Sequence, residues 1–165
     1  GVGKTTIARA VYEEMCGNFD HHCFLYNVKE DFKRKGEAGM QEELLYRISR
    51  ENGQHLSSKM IMERLSGIKL FLVLDDVDKL DQLDTLAGAP DWFGCGSKII
   101  ITTRDKRLLT AHEVNPIYKV RELDDHEGCE LFSLYAFKKK KNHDDDEKFW
   151  ISTIVRYAQG LPLAL

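Results

Sequence analysis

The chain has 165 residues, of which 42% are hydrophobic and 31% are charged, a balance typical of one globular domain or of one domain with part of a second. Its net charge of -3 gives no basic signal for nucleic acid and no long-range attraction to an anionic membrane. No run of about 18 apolar residues occurs, so the sequence predicts no membrane span. The four cysteines match no zinc-binding spacing. The sequence lacks a starting Met and ends on an apolar run, so we expect an internal piece of a longer protein.

Hydrophobic spacing predicts mostly helices in the first part of the chain. The expected elements are a helix over 5–16, a strand over 23–28, a loop over 31–39, and helices over 40–49 and 58–65. The first helix carries Ile7, Val11 and Met15 on one face, which Ala8 and Tyr12 widen. The segment over 31–39 is interpreted as a loop because it is charged and contains two glycines.

The second part of the chain changes from alternating strands and helices to helices alone. The expected elements are strands over 70–74, 98–103 and 117–120, a short helix over 80–86, and helices over 127–137 and 147–158. The first of these strands is wholly apolar and the second is mostly β-branched, which favours strands buried in a parallel sheet. We therefore predict a parallel α/β domain with right-handed crossovers over 1–122 and a small helical unit over 123–165.

The chain opens with the second half of a phosphate-binding loop, formed by Gly1, Val2, Gly3, Lys4, Thr5 and Thr6. Glycine lets backbone N–H groups turn inward around phosphate oxygens, and the following helix directs its positive end toward them. Lys4 is expected to reach the β- and γ-phosphates, and the Thr5 hydroxyl to hold Mg²⁺. The first Gly of the motif, and the strand that leads into it, would precede residue 1.

Polar residues follow two of the predicted strands. Asp75 and Asp76 follow the apolar strand over 70–74, and the carboxyl end of such a strand lies beside the phosphate loop in this fold class. We expect Asp75 to orient the water shell of Mg²⁺ and Asp76 to accept a proton from an attacking water. Arg104 follows the strand over 98–103, and its planar cationic head is suited to the oxygens of a γ-phosphate.

With these motifs in this order, the chain resembles the NB-ARC domain of plant nucleotide-binding, leucine-rich-repeat resistance proteins over essentially its whole length. The segments that carry the resemblance are FLYNVKE at 24–30, KLFLVLDDVD at 69–78, GSKIIITTRD at 96–105, the passage over 118–137 and GLPLAL at 160–165. The resemblance implies a P-loop NTPase sheet followed by part of the helical ARC1 subdomain, with Pro162 packed against the adenine. Asp78, together with FLYNVKE, resembles the branch that carries an N-terminal Toll/interleukin-receptor-like (TIR) domain.

The resemblance also implies a function. Such domains are switches that hold ADP at rest and exchange it for ATP, with Mg²⁺, on activation. The parent would be a cytoplasmic or nuclear receptor whose TIR and leucine-rich-repeat domains contact this one, and which self-associates on activation.

One alternative is a P-loop ATPase with real turnover, for which Asp76 is the catalytic candidate, although ring-forming ATPases more often carry Glu there. A GTPase would need an N-K-x-D motif, which the sequence lacks, and the D-x-x-G match at 91–94 is interpreted as a turn. A nucleic-acid motor would need basic grooves or stacking aromatics, which the acidic balance disfavours.

Overall fold

The computed structural model describes residues 1–49, 67–88, 92–137 and 144–164. The helix expected over 58–65 and Asp91 of the D-x-x-G segment lie outside these residues. The chain divides into two compact units. The sheet unit is Thr5–Ile117, and the helical unit consists of Gly1–Lys4 with Tyr118–Leu165. None of the described helices is both long and apolar enough to cross a membrane.

Among the described residues, the sheet unit contains three parallel strands in the order β1-β2-β3, which confirms the predicted α/β fold. The strands are β1 (His21–Leu25), β2 (Leu70–Val77) and β3 (Lys98–Thr103). The accompanying helices are α1 (Lys4–Met15), α2 (Val28–Ser49), α3 (Leu80–Ala87) and α4 (Lys106–Ala111). The sequence did not predict α4, which is one and a half turns long and begins after Asp105, whose side chain accepts the backbone N–H of Arg107.

The central strand, β2, is buried on both faces. The side chains of Leu70, Leu72 and Leu74 share a core with residues of α2 and α3. Phe71 and Val73 share a second core with residues of α1. A parallel strand that is covered on both sides must be apolar at every position, which explains the unbroken LFLVL run.

Strand β3 is less buried than its β-branched sequence predicted. Ile99 is 36% exposed, and Thr102 is the buried residue of the strand. The difference follows from its position, since β3 lies at one end of the strand order and pairs with β2 on one side.

The buried face of α1 differs in part from the predicted one. Ala8 is buried and Val11 and Tyr12 pack against the same core, but Ile7 and Met15 are 43% and 38% exposed. The large ring of Tyr12 supplies the contact area that the aliphatic residues were expected to supply.

The predicted loop over 31–39 is wrong, because these residues belong to α2. The helix is interrupted at Gly36, whose φ of 69° and ψ of -178° are not helical. Lys35 joins the two halves, since its Nζ lies 2.9 Å from Asp31 Oδ2 and 2.8 Å from Glu43 Oε2. The hydrogen bond from Lys35, reinforced by one from Arg47, holds the pKa of Glu43 below its usual value. The charges that indicated a loop therefore form ion pairs along a helix.

Two other boundaries differ from the prediction. Residues 117–120 form no strand, because no described strand pairs with them, and four residues need a partner strand to be stable. Strand β1 ends at Leu25, because Asn27 adopts a left-handed conformation with φ 50° and starts α2. Its carbonyl accepts the backbone N–H groups of Glu30 and Asp31.

The two segments that resemble TIR-branch markers contact each other. Lys29 Nζ, in the first turn of α2, lies 3.3 Å from Asp78 Oδ2. Gln82 of α3 also holds Asp78, because its Nε2 donates to Asp78 Oδ1 at 2.9 Å and its Oε1 accepts the Asp78 N–H at 3.0 Å. Partial burial acts against ionisation, but the hydrogen bonds from Gln82 and Lys29 keep the pKa of Asp78 below its usual value. These contacts connect the starts of α2 and α3.

The helical unit contains α5 (Asp125–Ala136), α6 (Asp145–Ala158) and a short 3₁₀ turn, Pro162–Ala164. Both helices were predicted, and each starts two residues earlier than expected. In each case an Asp caps the N-terminus, since Asp124 and Asp144 accept the backbone N–H of the residue three positions later.

We expect Gly36→Ala to lower the free energy of unfolding by about 1–3 kcal/mol, because side chains other than glycine rarely adopt this backbone conformation. Gly17→Ala is the matched control. A Cβ at either position would meet nothing within 4 Å, but only Gly36 has a positive φ. Urea denaturation followed by circular dichroism measures both variants, and equal stabilities would contradict the prediction.

Candidate functional site

The glycine-rich loop leads directly into α1. Gly3 has a φ of 86°, which glycine adopts without strain, and Lys4 is the first residue of the helix. Thr5 and Thr6 follow in the first turn, which contains no acidic residue. The free N–H groups and the positive end of the helix dipole are therefore not offset by a carboxylate in that turn. Such a helix start favours a bound anion.

Within the helical unit, the GLPLAL turn lies against the same glycines. A Cβ added to Gly3 would lie 3.9 Å from Pro162 Cγ, and one added to Gly1 would lie 3.1 Å from Leu163 Cδ1. Pro162, which the resemblance assigned to the nucleotide site, is about 160 residues away from the glycine-rich loop in sequence. In space it lies next to that loop.

Asp75 is buried at the carboxyl end of β2, with 4% of its surface exposed. Thr5 Oγ1 donates to Asp75 Oδ1 at 2.9 Å and lies 3.1 Å from Oδ2. Thr102 Oγ1, on β3, donates to Oδ1 at 2.6 Å. Hydrogen bonds from two hydroxyls offset the desolvation of the buried carboxylate. The structure thus joins the two residues that the sequence selected as a metal pair, Thr5 and Asp75.

The strand pairing is irregular at the two acids. The register between β2 and β3 shifts between Leu74 and Val77, and Asp76 has a left-handed φ of 56°. The Asp76 N–H donates to Thr102 Oγ1 at 2.9 Å. At this irregular end of the pairing, Asp75 is buried and Asp76 is partly exposed.

The sequence did not single out Thr102. The only available signal was a pair of polar residues, Thr102 and Thr103, at the end of an otherwise aliphatic strand.

Arg104 is a highly exposed member of the predicted site. Its side chain is 85% exposed, and its Nε lies 3.8 Å from Asp76 Oδ1. An ion pair with this separation and exposure contributes little to stability. Asp76 therefore holds the guanidinium group only weakly in this structure.

The donor set fits one type of metal ion. In the described part of the chain, no group of three or more His, Cys, Asp or Glu side chains is placed to hold a metal. The Thr5 hydroxyl gives its proton to Asp75, so its oxygen lone pairs are left for a cation. Mg²⁺ beside a phosphate loop takes one hydroxyl, waters and phosphate oxygens. The residues fit Mg²⁺ that arrives with phosphate, and they do not fit a metal held by protein side chains alone.

The fold and the site define the class of protein. A parallel α/β sheet, a Gly-x-Gly-Lys-Thr loop that opens a helix, and a hydrogen bond from that helix to an acid-terminated strand are the features of a P-loop NTPase. The chain matches the NB-ARC domain over residues 1–142, and it belongs to the NB-ARC family. This confirms the resemblance inferred from the motifs.

The similar proteins are plant disease resistance proteins. The chain is 42% identical to Disease resistance protein RUN1 of Vitis rotundifolia and 43% identical to TMV resistance protein N of Nicotiana glutinosa. It is 38% identical to Probable disease resistance protein RPP1 of Arabidopsis thaliana. Each alignment covers the whole of this chain but 13%, 15% and 14% of the three relatives, respectively. The chain therefore spans about one seventh of their length.

We expect Asp75→Asn to lower the free energy of unfolding by about 1–3 kcal/mol, because a neutral amide oxygen accepts the two hydroxyl protons less strongly than a carboxylate, and the amide NH₂ puts a donor where Oδ2 faces Thr5. The adjacent Asp76→Asn is the control, with an expected change below about 0.5 kcal/mol, since in the described part of the chain the side chain of Asp76 has only the long ion pair with Arg104. Both are measured by urea denaturation without nucleotide. A larger loss of unfolding free energy in Asp76→Asn than in Asp75→Asn would show that the buried hydrogen bonds of Asp75 do not stabilise the fold.

Proposed function

We propose that this domain is the nucleotide-binding switch of a plant disease resistance protein, which holds ADP at rest and exchanges it for ATP, with Mg²⁺, on activation. The observation that carries the proposal is the hydrogen-bonded group of Thr5, Asp75 and Thr102. It fixes the first turn of α1 to the acidic end of β2, which is the arrangement that a Mg²⁺-bound nucleotide needs. Membership of the NB-ARC family supports the same conclusion.

Each predicted site residue has a role in this proposal. The phosphates are held by the loop and the first turn of α1, namely Gly1, Val2, Gly3, Lys4, Thr5 and Thr6. Thr5 ligates Mg²⁺, and Asp75 orients the waters of the ion. Pro162 packs against the adenine, and its position beside Gly3 supports a link between the nucleotide and the GLPLAL turn.

Arg104 is the residue whose contacts would differ between the two nucleotides. With ADP, its guanidinium stays near Asp76, as in this structure. A γ-phosphate offers it a second anion of higher charge, with oxygens that match the planar guanidinium. A ligand shifts a conformational equilibrium only through contacts that differ between the states, and Arg104 supplies such a contact.

A slow ATP turnover is the second candidate function, with Asp76 as the catalytic residue. Asp76 follows the buried Asp75 and its side chain is partly exposed, so it can meet an attacking water. Ring-forming ATPases more often carry Glu at this position, so we place turnover second to the switch.

The wider context of the domain belongs to the same proposal. Asp78 and the FLYNVKE segment support a parent protein of the TIR branch, in which TIR and leucine-rich-repeat domains contact this one. The parent would act in the cytoplasm or nucleus and self-associate on activation.

Nucleotide released from the purified natural protein by denaturation tests the proposal. We expect close to one ADP per chain on ion-exchange chromatography, and little from Lys4→Arg, because arginine cannot replace the compact ammonium group in a phosphate loop. Absence of adenine nucleotide, or an equal amount in the variant, would refute it. Rapid conversion of added ATP to ADP that is lost in Asp76→Asn would favour the ATPase instead.

We expect Arg104→Ala to weaken binding of ATP about tenfold relative to ADP, which corresponds to the loss of one hydrogen bond between charged groups. Arg107→Ala is the matched control, because Arg107 is also highly exposed and paired with an aspartate, Asp105, but belongs to α4. Competition against a fluorescent ADP analogue measures both affinities. Equal losses of ATP and ADP affinity would exclude Arg104 as a sensor of the γ-phosphate.

A further inference from the structure

We propose that Thr102 is a positioning residue that orients the carboxylate of Asp75 toward the metal-bound waters. The inference rests on the proposed function, because it concerns the Mg²⁺ that accompanies the nucleotide. Thr102 is buried on β3, with 8% of its surface exposed, and its hydroxyl joins the side chain of one site acid to the backbone of the next.

The direction of both hydrogen bonds follows from the groups involved. The Asp76 N–H can only donate, so the Thr102 oxygen accepts it at 2.9 Å. The single hydroxyl proton of Thr102 is then directed to Asp75 Oδ1, at 2.6 Å. A bond this short to a carboxylate is of the strong, charge-assisted kind.

These bonds make the two oxygens of Asp75 different from each other. Among the described residues, Oδ1 accepts protons from both Thr102 and Thr5, and each carboxylate oxygen has two lone pairs. Oδ2 has only the longer contact of 3.1 Å with Thr5. Oδ2 is therefore the oxygen with capacity left for a water of the metal, and Thr102 determines this by occupying Oδ1.

Thr102 also supports the irregular backbone at the acids. Its oxygen holds the N–H of Asp76, where the register shifts and φ is 56°. Removal of the hydroxyl would leave that N–H without its acceptor, and Oδ1 of Asp75 would keep only the longer hydrogen bond from Thr5 of the two it now accepts. Both changes let the carboxylate rotate away from the direction that the metal shell requires.

The neighbouring Thr103 provides a matched comparison. Its Oγ1 donates to the Val77 carbonyl at 2.7 Å and accepts the Asp105 N–H at 3.1 Å. Like Thr102, it is a threonine of β3 that donates one hydrogen bond and accepts one. Its hydrogen bonds do not involve the carboxylate of Asp75 or Asp76. Any general effect of removing a hydroxyl from the end of β3 should appear in Thr103→Val as well.

The test measures ADP affinity of the natural protein with Mg²⁺ and with EDTA, for the wild type and for Thr102→Val, Thr102→Ser and Thr103→Val. Valine keeps the shape of threonine and removes the hydroxyl. In the wild type, Mg²⁺ should raise the affinity for ADP. We expect Thr102→Val to reduce this gain about tenfold, because one hydrogen bond to a charged group is lost. In EDTA, the variant should bind ADP as the wild type does. Thr102→Ser should recover the gain, and Thr103→Val should keep it.

Three results would overturn the assignment: an unchanged Mg²⁺ gain in Thr102→Val, an equal loss with Mg²⁺ and EDTA, or the same loss in Thr103→Val. A wild-type protein that binds no ADP in either condition would instead refute the proposed function, and this inference with it. If Thr102→Val does not fold, Thr102→Cys replaces it under the same criteria, because a thiol has similar size but is a weak donor and acceptor.

Discussion

Burial of both faces of β2 is the constraint from which the rest of the sheet unit follows. Alternate side chains of the strand belong to two separate cores, one shared with α1 and the other with α2 and α3. A strand without a solvent face can carry acids only at its end, and a buried acid there must be hydrogen-bonded. Asp75 obtains its donors from Thr5 and Thr102, so the element that carries the phosphate loop and the neighbouring strand meet at one carboxylate.

The candidate site combines buried and exposed groups. Asp75 and Thr102 are buried and hydrogen-bonded, so their positions are set before any ligand arrives. Arg104 is exposed, and among the described residues its ion pair is the long one with Asp76. In the proposed switch, the buried groups would hold the part that ADP and ATP share, and Arg104 would respond to the part that differs.

Elements that are encoded by a few neighbouring residues were predicted correctly. The apolar run of β2, the aliphatic β3 and the loop before α1 are local signals, and all three led to the correct elements. The errors have two kinds of cause. Within α2, charges that indicated a loop pair along the helix instead, as Lys35 does when it bridges Asp31 and Glu43 across a kink. Thr102 reaches Asp75 because β2 and β3 are neighbouring parallel strands, and neither strand's sequence encodes that pairing alone.

The contact between Lys29 and Asp78 joins two separate sequence motifs. The resemblance associates Asp78 and the segment that contains Lys29 with the same branch of the family. Because the two side chains form an ion pair that Gln82 supports, replacing Asp78 alone would leave Lys29 without this counter-charge. A sequence comparison that scores the two motifs as independent markers of the branch would therefore count one physical contact twice.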